Sequence, residues 1–269
     1  MPYRLLALDV DGTLVDGSLQ ITLRTRQAIG AAIAGGVHVT LASGRLFHQV
    51  RVFAKDLGIR EPLICNQGAL VIDPLSSELL YECTVPRPVA DEFMTYVLAQ
   101  GWDLCVYARE HLYAHALTPE VQVLIDLAPA GQEVRWLADL DESVELVQLL
   151  VIVQPERAAL VERSLKERFG PRLSVVRSFS HFVEASNPAV SKGKGLAFLA
   201  ERLGVSRAET MAIGDQDNDV AMIAWAGLGV AMGNASAACK AAADYVTADV
   251  SADGAAWAIE RFVLGQHHA

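Results

Sequence analysis

The chain is short of positive charge. Its 269 residues carry 22 Lys and Arg against 32 Asp and Glu, a formal net charge of −10. A surface of that sign argues against duplex DNA, RNA or anionic lipid as the main partner, because each needs basic patches. A small anion stays open, since a metal and a few local cations can reverse the field inside one cleft. Cysteine is scarce too. The four (Cys65, Cys83, Cys105, Cys239) form no C-x-x-C pair, and buried free thiols of a reducing compartment fit them better than two disulfides. No apolar run is long enough to cross a bilayer, the N-terminal segment does not read as a signal peptide, and no repeat of fixed period is present. A soluble cytoplasmic protein, monomeric or weakly dimeric, is expected.

What is present is a core-forming composition. Hydrophobic residues make up 52% and charged residues 20%, the balance of a folded chain, and the length allows one large domain or two unequal ones. Residues 5–10, apolar but for Asp9, open without alternation, the pattern of a strand buried on both faces. A helical period over 24–34 closes at Gly35-Gly36, where a left-handed cap belongs. Residues 37–41 and 63–65 read as further buried strands, with a helix over 45–57 between them and Ser43 as its N-cap. The rhythm returns in helices over 192–202, 218–225 and 255–262 and short strands over 211–213, 228–230 and 245–246. Strand and helix in alternation imply a parallel sheet with helices on both faces. The middle differs: paired strands at 103–107 and 111–114 and helices at 89–99 and 156–169 suggest a separate α+β layer. The expected division is a Rossmann-like three-layer α/β core of residues 1–84 and 184–269, with an α+β cap of residues 85–183 inserted.

The polar residues concentrate where apolar strands end. Asp9-Val10-Asp11-Gly12-Thr13 follows the first strand, at the sheet edge where ligands bind in open α/β folds. Gly214-Asp215-Gln216-Asp217-Asn218-Asp219 follows another. Two acidic clusters on one sheet edge suit a hard divalent cation, which prefers oxygen ligands. Each also has a plainer reading, as solvated turn residues or as helix caps, with Asp217 the foremost candidate cap. Ser43-Gly44-Arg45 follows a third strand, where a hydroxyl and main-chain N–H groups can hold an oxyanion. Arg45 could neutralise a phosphate or pair with an aspartate. Lys192 starts a helix, where a cation is disfavoured unless it faces an anion; Lys194 competes for that role.

In this order, D-x-D-G-T, S-G-R, K-G-x-G-L and G-D-x-x-N-D resemble the haloacid dehalogenase superfamily, and more narrowly its Cof-type sugar-phosphatase branch. The resemblance spans the whole chain. It implies a magnesium-dependent phosphatase acting on a small phosphorylated metabolite through a phosphoaspartyl intermediate. Asp9 is the implied nucleophile, and Asp11 the acid and base, with a pKa raised by burial and by Asp9. Asp9, Asp215 and the Asp11 main-chain carbonyl are the implied magnesium ligands, with Asp219 bound through water or orienting them. Ser43, Gly44 and Lys192 are the implied phosphate contacts, and Asn218 is implied to reach the phosphate or to support Lys192. The loop Asn66-Gln67-Gly68-Ala69 departs from the family, which more often has Asn directly before Gly; Asn66 is expected to line the cleft. Arg45, Arg109, His111, Tyr113 and His181 are candidate specificity residues, although each of the last four also suits an ordinary turn or strand position. A phosphomutase or phosphotransferase shares these motifs. A non-catalytic metabolite-binding protein of the same fold is disfavoured by the presence of Asp9, Asp11 and Lys192.

Overall fold

A computed structural model describes residues 2–109, 111–126, 133–179 and 181–266. In chain order the elements begin with β1 (Leu5–Leu8), α1 (Leu23–Ala34), β2 (His38–Leu41), α2 (Phe47–Leu57), β3 (Leu63–Cys65), β4 (Leu70–Ile72) and β5 (Leu79–Glu82). They continue through α3 (Arg87–Ala99), β6 (Asp103–Ala108), β7 (His111–Ala114), α4 (Pro119–Asp126), β8 (Val134–Trp136), β9 (Gln148–Ile152), α5 (Pro155–Phe169), β10 (Ser174–Phe179) and β11 (Phe182–Ser186). The chain ends with α6 (Lys192–Arg202), β12 (Thr210–Gly214), α7 (Val220–Trp225), β13 (Leu228–Ala231), α8 (Ala237–Ala242), β14 (Tyr245–Val246) and α9 (Gly254–Ala258). No helix among the described residues is long and apolar enough to cross a membrane.

The chain divides into two compact units, residues 1–81 with 191–269, and residues 82–190. The first is α/β. Its parallel sheet runs β14-β13-β12-β1-β2, and β1 and β12 at its centre are buried along their whole length. That double burial is why both read as unbroken apolar runs. Helix α1 starts at Thr22, whose side chain accepts from the Thr25 N–H, and ends past Gly35 with Gly36 at φ 83°. Ser43 does not cap α2. The cap position is Leu46, and the Gln49 side chain accepts from its N–H instead, so residues 43–46 form a loop rather than a first turn.

The second unit is a six-stranded sheet in the order β10-β11-β9-β6-β7-β8, antiparallel except for β7 with β8. Its core gathers Phe93 and Val97 of α3, Leu165 and Phe169 of α5, and inward residues of β6, β9 and β11. The unit extends to residue 190 rather than 183, because β11 pairs with β9 and β10 and stays with their sheet.

Candidate active site

Strand pairing brings the two acidic motifs together. β1 and β12 are parallel neighbours with Leu8 opposite Ile213, and the Asp9 N–H extends the ladder by donating to the Ile213 carbonyl at 3.0 Å. The residues following both strands therefore emerge side by side. Lys192, the first residue of α6, is 1% exposed, and its Nζ donates to Asp9 Oδ1 and Asp219 Oδ1, each at 2.6 Å. Lys194 is exposed to solvent. A cation at a helix start is explained by the anions it meets.

Burial is the dominant influence on this cluster. It pushes the Asp9 carboxyl well above its usual range; repulsion from Asp219 adds to the effect and Lys192 opposes it. Burial also raises Asp215, with donation from Gln216 in opposition and Asp219 adding. For Lys192, burial disfavours the charge, but Asp219 and Asp9 together outweigh it and hold the ammonium protonated beyond its normal range. Asp9, Asp215 and Asp219 each offer an oxygen within 4.8 Å of the others. Three carboxylates against one ammonium leave two formal negative charges, which one divalent cation balances. The donors are all oxygen, the set that magnesium accepts.

The side chains around the cluster hold it in shape. Asp219 Oδ2 accepts from the N–H groups of Asp215 and Gln216 at 2.9 and 3.0 Å, so with Oδ1 on Lys192 both its oxygens are engaged. Asp215 accepts from Thr13 Oγ1 at 3.1 Å and from Gln216 Nε2 at 2.8 Å. Its carboxylate packs against Gly12, where a Cβ would collide with Asp215 Oδ2. Asn234 donates to the Gly12 carbonyl at 2.8 Å and accepts from the Val250 N–H at 2.9 Å. Thr13 and Asn234 escaped the sequence reading. Thr13 lies inside the first motif and Asn234 follows β13, the neighbour of β12, so position at the sheet edge was the available signal. Asp217 accepts from Ser236 and stands outside the cluster.

Asp11 differs from expectation. Its side chain is 49% exposed rather than buried, and both its oxygens accept from Arg45, at 2.6 and 2.7 Å. Asp11 lies outside the carboxylate cluster because its side chain turns to the guanidinium. Ser43 is buried, its Oγ accepting from the Arg45 N–H at 3.2 Å, and the Gly44 N–H has no hydrogen-bond partner among the described residues. Asn66, expected to line the cleft, is buried. It is 2% exposed, and neither polar atom of its amide has a partner. The next residue is half-buried: Gln67 Oε1 accepts from Asn218 Nδ2 at 2.8 Å, and its amide lies over Gly44. Asn66 and Gln67 both have positive φ, 49° and 60°, so the loop turns its second residue outward.

The remaining candidates lie in the second unit. Arg109 donates both its Nε and one terminal amine to Glu82, at 2.9 and 3.0 Å. His111 is half-buried on β7. The His181 ring stands edge-on to Phe182, with centroids 4.4 Å apart. Tyr113 is 5% exposed and packed in the hydrophobic core, which removes its ring from the candidates for substrate contact.

The family model for haloacid dehalogenase-like hydrolases matches residues 6–259. The 5-amino-6-(5-phospho-D-ribitylamino)uracil phosphatase YcsE of Bacillus subtilis is 29% identical over 266 residues, covering 97% of this chain and 96% of its own. A haloacid dehalogenase-like hydrolase from Bacteroides thetaiotaomicron superposes with a TM-score of 0.86 at 31% identity, covering 96% of this chain and 99% of the other. The subclass IIB sugar phosphatase BT4131 superposes with a TM-score of 0.82 at 25% identity, over 97% and 99%. With its acidic motifs closed on one buried lysine and a family match over nearly its whole length, this chain belongs to the haloacid dehalogenase-like hydrolases.

Proposed function

We propose that the chain is a magnesium-dependent phosphatase that transfers the phosphoryl group of a small phosphorylated metabolite to Asp9 and then to water. The observation that carries this reading is the state of the Asp9 carboxylate. Lys192 occupies Oδ1, while Oδ2 has no hydrogen-bond partner among the described residues. One oxygen is anchored, and the other keeps its lone pairs for attack.

Asp9 Oδ2 attacks phosphorus, the bond from phosphorus to the ester oxygen breaks, and the leaving oxygen takes a proton from Asp11. Water then attacks the phosphoaspartate, Asp11 takes its proton, and the bond between phosphorus and Asp9 breaks. Because both Asp11 oxygens accept from Arg45, Arg45 must first release one of them, and an arriving phosphate is the natural new partner for a guanidinium. The Ser43 hydroxyl, the Gly44 N–H, the Lys192 ammonium and the Asn218 amide hold the phosphoryl oxygens. Magnesium, held by the Asp9 and Asp215 carboxylates and the Asp11 main-chain carbonyl with Asp219 ordering them, would neutralise charge on the transferring group. The second unit is assigned the part of a specificity cap, with Arg109, His111 and His181 as its candidate contacts. YcsE and the sugar phosphatase both take a phosphate off a polyhydroxylated carbon chain or sugar, and we place the substrate in that class.

The test is phosphate release from p-nitrophenyl phosphate and a panel of phosphorylated sugars and polyols, with magnesium and with EDTA, for the wild type and Asp9→Asn. Magnesium-dependent release abolished in Asp9→Asn supports the reading. Transfer to an added sugar without release of phosphate would make the protein a phosphotransferase, and folded protein inert on the whole panel would overturn the proposal.

A further inference from the structure

The loop after β3 contains a residue whose arrangement the proposed reaction does not yet use. Asn66, Gln67 and Gly68 take positive φ in succession, at 49°, 60° and 94°. Glycine tolerates such a conformation and glutamine does not favour it, and non-glycine residues held there concentrate at functional sites. Two main-chain bonds fix the loop, from the Asn66 N–H to the Arg45 carbonyl and from the Gln67 N–H to the Ser43 carbonyl, both 3.1 Å. The Gln67 side chain then lies between two expected phosphate contacts. Its Oε1 accepts from Asn218 Nδ2 at 2.8 Å, and its Nε2 stands 2.5 Å from where a Cβ of Gly44 would be. Only a glycine at 44 leaves room for that amine. With Oε1 on Asn218, Nε2 is a donor with no hydrogen-bond partner among the described residues, beside the Gly44 N–H, which also has none.

We infer that Gln67 is a further phosphate-binding residue, donating from Nε2 to a phosphoryl oxygen alongside the Gly44 N–H while its Oε1 holds Asn218 in place. The inference rests on the phosphatase reading. It explains why a glutamine occupies a left-handed position: its longer side chain reaches across Gly44, and the outward turn of the loop aims it there. The buried and unpartnered amide of Asn66 is the counterpart of that turn.

The test is binding of inorganic phosphate to the full chain, by titration calorimetry with saturating magnesium, for the wild type, Gln67→Glu and Gln67→Gly. Gln67→Glu keeps an acceptor for Asn218 but loses the donor, and phosphate binding should weaken by about 10- to 100-fold, the range for one hydrogen bond to a charged group. Gln67→Gly relieves the left-handed backbone, so its Tm should equal or exceed that of the wild type while phosphate binding again weakens by about 10-fold or more. If both variants bind within about twofold of the wild type, Gln67 is not a phosphate ligand. If only Gln67→Glu binds more weakly, the effect is repulsion by the added charge and the donor assignment is wrong. A wild type that turns over p-nitrophenyl phosphate while the variants match it overturns this inference alone; a wild type that neither binds phosphate nor turns over overturns the phosphatase reading with it.

Discussion

The two units bury different things. Among the described residues the first buries Asp9, Asp215, Asp219 and Lys192 around one point, whereas the second buries no charged side chain. The second unit is built as an ordinary fold, with an apolar core between a sheet and the helices α3 and α5 and its ion pairs at the surface. The first places like charges out of water, an arrangement that is unfavourable until a cation joins it. Both units have an apolar core, but only the first holds the buried charged cluster, and substitutions should sort accordingly.

The largest contrast is in turnover. Asp9→Asn should lower hydrolysis of p-nitrophenyl phosphate by about 10⁴-fold or more, as removal of a covalent nucleophile does, and leave the circular dichroism spectrum unchanged. Phe93→Ala in the second unit should cost about 3–5 kcal/mol in urea unfolding as a core cavity and leave magnesium affinity unaltered. Lys192→Met should match that stability loss, about 3–5 kcal/mol, for another reason: it strands Asp9 and Asp219 without their counter-ion. Added magnesium should recover part of the loss in Lys192→Met and none in Phe93→Ala.

A smaller effect separates the units by pH. Asp9 and Asp215 titrate above their unfolded values because burial disfavours their charge, so the folded state binds more protons than the unfolded one. Stability of the metal-free protein therefore falls as pH rises through that window. Magnesium binds the ionised form, and the Tm increase it produces should be larger at about pH 7.5 than at about pH 5. An increase independent of pH would show that these carboxylates are not the ligands. The smallest effect is expected at the surface of the second unit, where Arg109→Ala breaks an exposed pair with Glu82 and should change stability by less than about 1 kcal/mol. A larger loss would make that pair structural.

Most of the parallel sheet and its edge were legible because a strand buried on both faces must be an unbroken apolar run, and a charge at its end is conspicuous. Strand β3, read into the same sheet, instead pairs antiparallel with β4 and meets β2's end through one parallel bridge, Ala42 to Ile64. Lys192 was legible for a similar reason, as a cation placed against a helix dipole. Ser43 misled as a helix cap because Ser-Gly-Arg looks like the start of a helix; the first turn begins only at Phe47, where Gln49 supplies the capping oxygen. Asn66 and Gln67 could not be told apart, since two successive left-handed residues decide which one faces outward and composition does not encode that. In the second unit α4, β8, β9, β10 and β11 went unseen. Segments such as Ser174-Val175-Val176-Arg177 pair at sheet margins and carry no clean alternation. The burial of Tyr113 and the exposure of Asp11 are likewise settled by tertiary contacts that no local pattern reports.

The most direct measurement is the covalent state of Asp9 during turnover. Protein quenched while hydrolysing p-nitrophenyl phosphate with magnesium, treated with borohydride and digested, should show the peptide containing Asp9 converted from acyl phosphate to alcohol, with Asp9→Asn unmodified. Turnover at full rate with no modification at Asp9, or with modification at another carboxylate, would contradict the phosphoaspartyl mechanism proposed for this site.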